Sequence, residues 1–78
     1  MATPWSAAAS EELRAEMGRR QASNAQLAAA SEMSTSSVSR KGGGERLITL
    51  DEFAAMSLAL DVEPDEMFNR AARIVRAA

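Results

Sequence analysis

Residues 34–44 read STSSVSRKGGG. The side chains able to do chemistry are gathered here, and their chemistry is binding. The Arg40 guanidinium presents a planar fork that fits a phosphate, or the O6 and N7 of guanine. Lys41 adds a compact point charge. Ser34, Thr35, Ser36, Ser37 and Ser39 donate and accept short hydrogen bonds, and the threonine methyl can meet the methyl of thymine. Three glycines then offer backbone amides with no side chain in the way, as in anion-binding nests. Bond-breaking chemistry lacks its usual parts. Histidine and cysteine are both absent, which removes the commonest general base, the commonest metal ligand and every thiolate. Serines beside acids, without a base, make no hydrolytic constellation. The paired acids Asp65 and Glu66 fall at a helix N-terminus, where they favour the helix dipole. No catalytic residue, metal site or cofactor is expected. The stretch has two readings: a surface loop, or a short helix with Val38 inward and its hydroxyls outward, built to lie in a nucleic-acid groove. Arg40 and Lys41 also suit a helix C-terminus by compensating its dipole.

The elements around the stretch decide between these readings. A chain of 78 residues is one small domain, expected to span 1–78, and such domains bury only about 60% of their unfolded surface. The net charge of −2 argues against a nonspecific nucleic-acid sponge, but the charge is unevenly placed. Residues 17–46 hold Arg19, Arg20, Arg40, Lys41 and Arg46 against Glu32 and Glu45. Residues 47–69 hold six acids and no base, and residues 70–78 hold Arg70, Arg73 and Arg76 and no acid. Anion docking is therefore expected in the middle segment or the tail. No apolar run approaches the roughly 18 residues of a membrane span. The start, MATPWSAAASEE, has neither a basic nor an apolar signal region. A cytoplasmic protein is expected.

Helix signals recur along the chain. A first helix starts at Ser10, a hydroxyl cap before two acids, or at Ser6 just after Pro4, and ends near Arg20 or Gln21. Ser23 with Gln26 makes a capping-box pattern for a second helix. Ser34 caps a third over residues 35–41, which stops on the glycines. Thr49 with Glu52 opens a fourth, whose broad apolar stripe takes in Leu50, Phe53, Met56, Leu58 and Leu60. Pro64 suits the first position of a fifth helix, over about 65–78, with Glu66 four residues before Arg70. Met17, Met33, Phe53, Met56, Met67 and Phe68 are read as core. Trp5 either packs on the domain or marks a partner surface.

Five short helices without a strand, with a close pair over about 23–41, form a helix-turn-helix pattern. From Ser23 to Phe68 the chain resembles the phage-repressor-like (Cro/XRE-type, lambda-repressor-like) helix-turn-helix family. SNAQLAAASEMSTSSVSR resembles its second and third helices, ERLITLDEF the entry to the fourth, and LALDVEPDEMF the step into the fifth. The resemblance implies a small five-helix all-α domain whose third helix enters the major groove of double-stranded DNA. It makes Thr35, Ser36, Ser39 and Arg40 the candidate base contacts, Arg40 chief among them. Asn24, Ser34, Ser37, Lys41, Arg46, Arg19 and Arg20 become the candidate phosphate contacts. It further implies a repressor acting as a homodimer on a pseudo-palindrome, with Phe68, Ala71, Ile74 and Val75 at the dimer contact. No membrane and no small-molecule ligand are implied.

The chain departs from the family in three places. Glu32 stands where the turn usually has glycine. Met17 and Gly42 replace a common Arg–Glu pair; losing one partner alone would cost about 3–5 kcal/mol, while losing both is close to neutral. Lys41 replaces a buried aliphatic residue. These departures, with the acidic balance, leave a second reading open: a protein-interaction module, antitoxin-like or antirepressor-like, on the same fold. Arg70, Arg73 and Arg76 have three readings: a solvated face, phosphate contacts or a dimer rim.

Overall fold

The computed structural model describes residues 4–31 and 47–77. Among the described residues there are four helices and no strand: α1 (Pro4–Arg20), α2 (Asn24–Ser31), α3 (Leu50–Ala59) and α4 (Pro64–Ala77). The all-α class is as expected. The additional helix expected over 35–41 lies outside the described residues, together with Glu32, Met33 and the glycine run.

α1 begins at Pro4, earlier than either serine start. Proline fixes φ near −65° and needs no N–H partner in a first turn. Three alanines, the strongest helix former, then carry the helix onward. Ser6, Ala8, Ala9 and Ser10 are all buried. Side chains this small permit close approach of α4, the chief neighbour of α1. Ser10 is thus a packing residue inside the helix, not its cap. The Ser6 hydroxyl accepts a hydrogen bond from the Ile48 backbone N–H at 3.1 Å. This bond ties the first turn of α1 to the entry of α3, 42 residues away in sequence.

The caps close the short helices as the sequence patterns predict. Gln26 N–H donates to Ser23 Oγ at 3.1 Å, and Ser23 N–H donates to Gln26 Oε1 at 2.8 Å. At α3, Glu52 N–H donates to Thr49 Oγ1 at 3.1 Å, and Thr49 N–H donates to Glu52 Oε1 at 2.9 Å. Each box satisfies two donors that a helix start otherwise leaves open. The stops of α1 and α3 share one geometry. After α1, Gln21 takes φ 54°, Gln21 N–H bonds Gly18 C=O and Ala22 N–H bonds Met17 C=O. After α3, Asp61 takes φ 59°, Asp61 N–H bonds Leu58 C=O and Val62 N–H bonds Ser57 C=O. Both are Schellman stops, with a residue other than glycine in the left-handed position.

Each helix gives the core one long side chain that is almost wholly buried: Leu13, Leu27, Met56 and Met67. Burying such a side chain contributes about 1.5–3 kcal/mol, so the four helices are held by one shared cluster. Ala9, Met17, Ala28, Phe53, Leu60 and Val62 complete it, with Ala22, Ile48 and Ala59 packed against it. Two expectations need correction. Phe68 is not core: it is 47% exposed and stacks on Trp5, with ring centroids 5.6 Å apart and planes 7° apart. Leu50 and Leu58 leave the expected stripe, at 79% and 57% exposed. A two-sided helix of this length buries one line of residues spaced three and four apart, and Phe53, Met56, Ser57 and Leu60 fill it. Ser57 is tolerated there because its hydroxyl donates to Phe53 C=O at 2.8 Å.

Candidate nucleic-acid interface

The C-terminal turn of α1 and the N-terminus of α2 carry the described part of the candidate interface. Arg19 and Arg20 close α1, where cations favour the helix dipole. Gln21 reverses the chain, and Asn24 follows as the exposed first residue of α2. Arg19 and Arg20 thus stand just before this turn and Asn24 just after it. The other candidates, Ser34, Thr35, Ser36, Ser37, Ser39, Arg40, Lys41 and Arg46, lie outside the described residues.

Both arginines are anchored by a residue the sequence reading did not single out. Glu16 is 5% exposed. Its Oε1 accepts from Arg19 Nη1 at 2.8 Å and from Arg70 Nη1 at 2.8 Å, and its Oε2 accepts from Arg20 Nε at 2.7 Å. Arg70 Nε also donates to Glu66 Oε2 at 2.9 Å, the pair expected on α4. The Arg20 hydrogen bond leads in drawing the Glu16 carboxyl down from 4.5 to about 2; burial opposes it, and the Arg19 and Arg70 bonds add to it. Glu16 is thus an ionised, nearly buried anchor that joins α1 to α4 and fixes two candidate phosphate-binding cations. Its spacing to Arg19 and Arg20 is the helical i,i+3 and i,i+4 pattern, a signal legible in the sequence. Its bond to Arg70, 54 residues away, is not.

The residues assigned to a dimer contact divide. Phe68 is exposed, and Ile74 and Val75 are half-buried. Ala71 is 1% exposed, already enclosed within its own chain, so it offers little surface to a second copy. No group of three or more metal-ligating side chains occurs among the described residues, and no helix there is long and apolar enough to cross a membrane.

Small helices with capped starts, gathered on one core, make a small all-α domain with two arginines at the end of α1. The chain belongs to the Cro/C1-type HTH DNA-binding domain family, whose family model matches residues 12–72, well over half of the chain. It is accordingly a helix-turn-helix DNA-binding regulator whose partner is double-stranded DNA. No curated protein and no solved structure matches it.

Proposed function

We propose that the protein is a transcriptional repressor of the phage or prophage type, acting in the cytoplasm by occupying an operator as a dimer. The family match across all four helices carries this reading. Thr35, Ser36, Ser39 and Arg40 read base edges, Arg40 chiefly. Asn24, Ser34, Ser37, Lys41, Arg46, Arg19 and Arg20 hold phosphates, and the exposed part of α4 serves the dimer. We assign it no catalysis. The exposure of Asn24, Arg19 and Arg20 on either side of the α1–α2 turn supports the phosphate assignment. In helix-turn-helix docking the first helix of the pair crosses the backbone, and the second enters the groove.

Selection from a randomised duplex pool at two salt concentrations tests the reading. A palindromic motif, retained with an affinity that falls steeply with salt, is expected. Arg40→Ala should then cost about 1–3 kcal/mol and relax one base position. Equal losses on specific and random DNA would make Arg40 a phosphate contact. The absence of any enriched motif at either salt would remove the operator, and the function would pass to a protein partner.

A further inference from the structure

The C-terminal half of α1 and the middle of α4 form the two walls of a polar cleft of about 530 Å³. Glu12, Glu16 and Arg19 line the α1 wall, and Arg70 and Arg73 line the α4 wall. Spacings of three and four residues put each set on one face of its helix. The cleft holds three cations and two acids, but the acids are withdrawn from solvent. Glu16 is nearly buried and already accepts from Arg19 and Arg70. The Glu12 side chain is 12% exposed, and its Oε1 stands 3.8 Å from Arg19 Nη2, beyond hydrogen-bond reach. Arg19 and Arg73 are exposed, so the charge that the cleft shows to solvent is positive. Arg19 gives Glu16 one hydrogen bond, out of the five N–H donors that a guanidinium carries. Arg73 makes no hydrogen bond or ion pair to any described residue.

We propose that Arg73 binds a backbone phosphate of the duplex, so that the phosphate-binding surface runs from the α1–α2 turn across the cleft onto α4. The proposal rests on the reading that the end of α1 faces DNA. Arg73 lies beyond residues 12–72, so the family match does not reach it. Continuity selects the ligand. Arg19 lines the cleft and also stands at the end of α1, just before the turn. A phosphate beside Arg19 is therefore within the neighbourhood of Arg73. Two guanidiniums facing one cleft repel each other, and an anion between them removes that repulsion. Phosphate suits them because its oxygens match the planar fork of an arginine. Arg76 is also exposed, but it does not line the cleft. The arginines of α4 thus differ in role: Arg70 is held by Glu16 and Glu66, Arg73 meets the phosphate, and Arg76 stays in water. A free phosphate would offer the same oxygens as the DNA backbone.

The experiment is fluorescence anisotropy of the full chain with a random-sequence duplex over a range of salt. It compares wild type, Arg73→Gln, Arg76→Gln and Arg19→Gln, each shown by circular dichroism to be folded. Arg73→Gln and Arg76→Gln remove the same charge from the same helix. The slope of log K against log salt should shrink by about 0.9 in Arg73→Gln and keep its wild-type value in Arg76→Gln. A phosphate contact carries no sequence information, so Arg73→Gln should lose affinity equally on random and selected duplexes. A wild-type slope in Arg73→Gln overturns the proposal. An equal change in Arg76→Gln overturns it too, since only the net charge of α4 would then matter. If the slope shrinks in Arg73→Gln but not in Arg19→Gln, the reading of Arg19 fails and the contact from α4 stands without it. A thermal-melt arm compares inorganic phosphate with chloride at equal ionic strength, and wild type and Arg73→Gln should respond alike. Stabilisation by phosphate in wild type alone, with the DNA slopes unchanged, would give the cleft to a free phosphate and overturn the DNA contact. If wild type binds no duplex at any salt, DNA binding itself fails and this proposal fails with it.

Discussion

Replacing Glu16 by Gln should destabilise the fold in a way that depends on pH. The glutamine keeps the shape and loses the charge. Glu16 accepts one hydrogen bond from each of three arginines. A hydrogen bond to a charged group contributes about 1.5–3 kcal/mol when shielded, and an exposed ion pair only about 0.2–1 kcal/mol. The Arg19 and Arg20 side chains are 56% and 42% exposed and so belong near the lower range. Arg70, at 27%, is the best shielded of the three. Desolvation of the carboxylate offsets part of the gain. The net cost of Glu16→Gln at pH 7 is then about 1–2 kcal/mol, or about 4–16 °C in Tm for a domain of this size.

The pH dependence follows from the lowered pKa of Glu16. Its contribution is fully present above the ordinary value of 4.5 and is lost as pH falls towards about 2. Urea denaturation of both proteins at pH 7, 5, 4, 3 and 2.5 measures the gap between them. The gap should be widest from pH 5 upward and should shrink steadily below that. Equal stability at pH 7, or a gap of unchanged size at pH 2.5, would refute the argument that an ionised Glu16 joins α1 to α4.

Two further substitutions test the helix stops and the interior of α1. Gln21→Gly should stabilise by up to about 1 kcal/mol in urea denaturation, since glycine occupies the left-handed position without the Cβ penalty, less its larger unfolded-state entropy; a loss of stability would argue against the φ of 54° at Gln21. Gly18→Ala should also stabilise, by about 1 kcal/mol, because a Cβ there would have no neighbour within 4 Å among the described residues and alanine is the better helix former. A lower thermal midpoint for Gly18→Ala would mean that the site is more crowded than this.

The features legible in the sequence were those whose partners lie within one helical turn. Both capping boxes, Pro64 at the start of α4 and the Glu66–Arg70 pair follow from spacings of three or four residues, or from the ring of a single proline. The helix stops were harder to read, because Gln21 and Asp61 take the conformation that glycine usually announces. The start of α1 was ambiguous because Ser6 and Ser10 each look like a cap; burial of small residues against α4 settles it, and burial is a tertiary fact. Phe68 was misread for the same reason, since its helical face pointed inward but its ring met Trp5 from the other end of the chain. The Glu16–Arg70 and Ser6–Ile48 bonds bridge segments with no local signal between them. For the candidate interface, charge asymmetry singles out Arg19 and Arg20 as candidates, while the base-reading assignments at 35–40 rest on the family pattern.

Glu16 also bears on how the protein would meet DNA. On the reading that Arg19 and Arg20 face phosphates, their partner in the folded chain is a carboxylate that already accepts from both. Holding an arginine in place reduces the entropy lost when it meets a phosphate, but the carboxylate also cancels part of the positive charge that attracts any DNA. Nonspecific binding depends almost wholly on that charge, so Glu16 should weaken binding to random duplex more than binding to an operator. Glu16→Gln should therefore tighten binding to random duplex at low salt, steepen its salt dependence and narrow the ratio of specific to nonspecific affinity. Fluorescence anisotropy on random and selected duplexes at several salt concentrations measures all three. Unchanged binding to random duplex, in a variant shown by circular dichroism to be folded, would place Arg19 and Arg20 away from the phosphates and leave Glu16 a purely structural anchor.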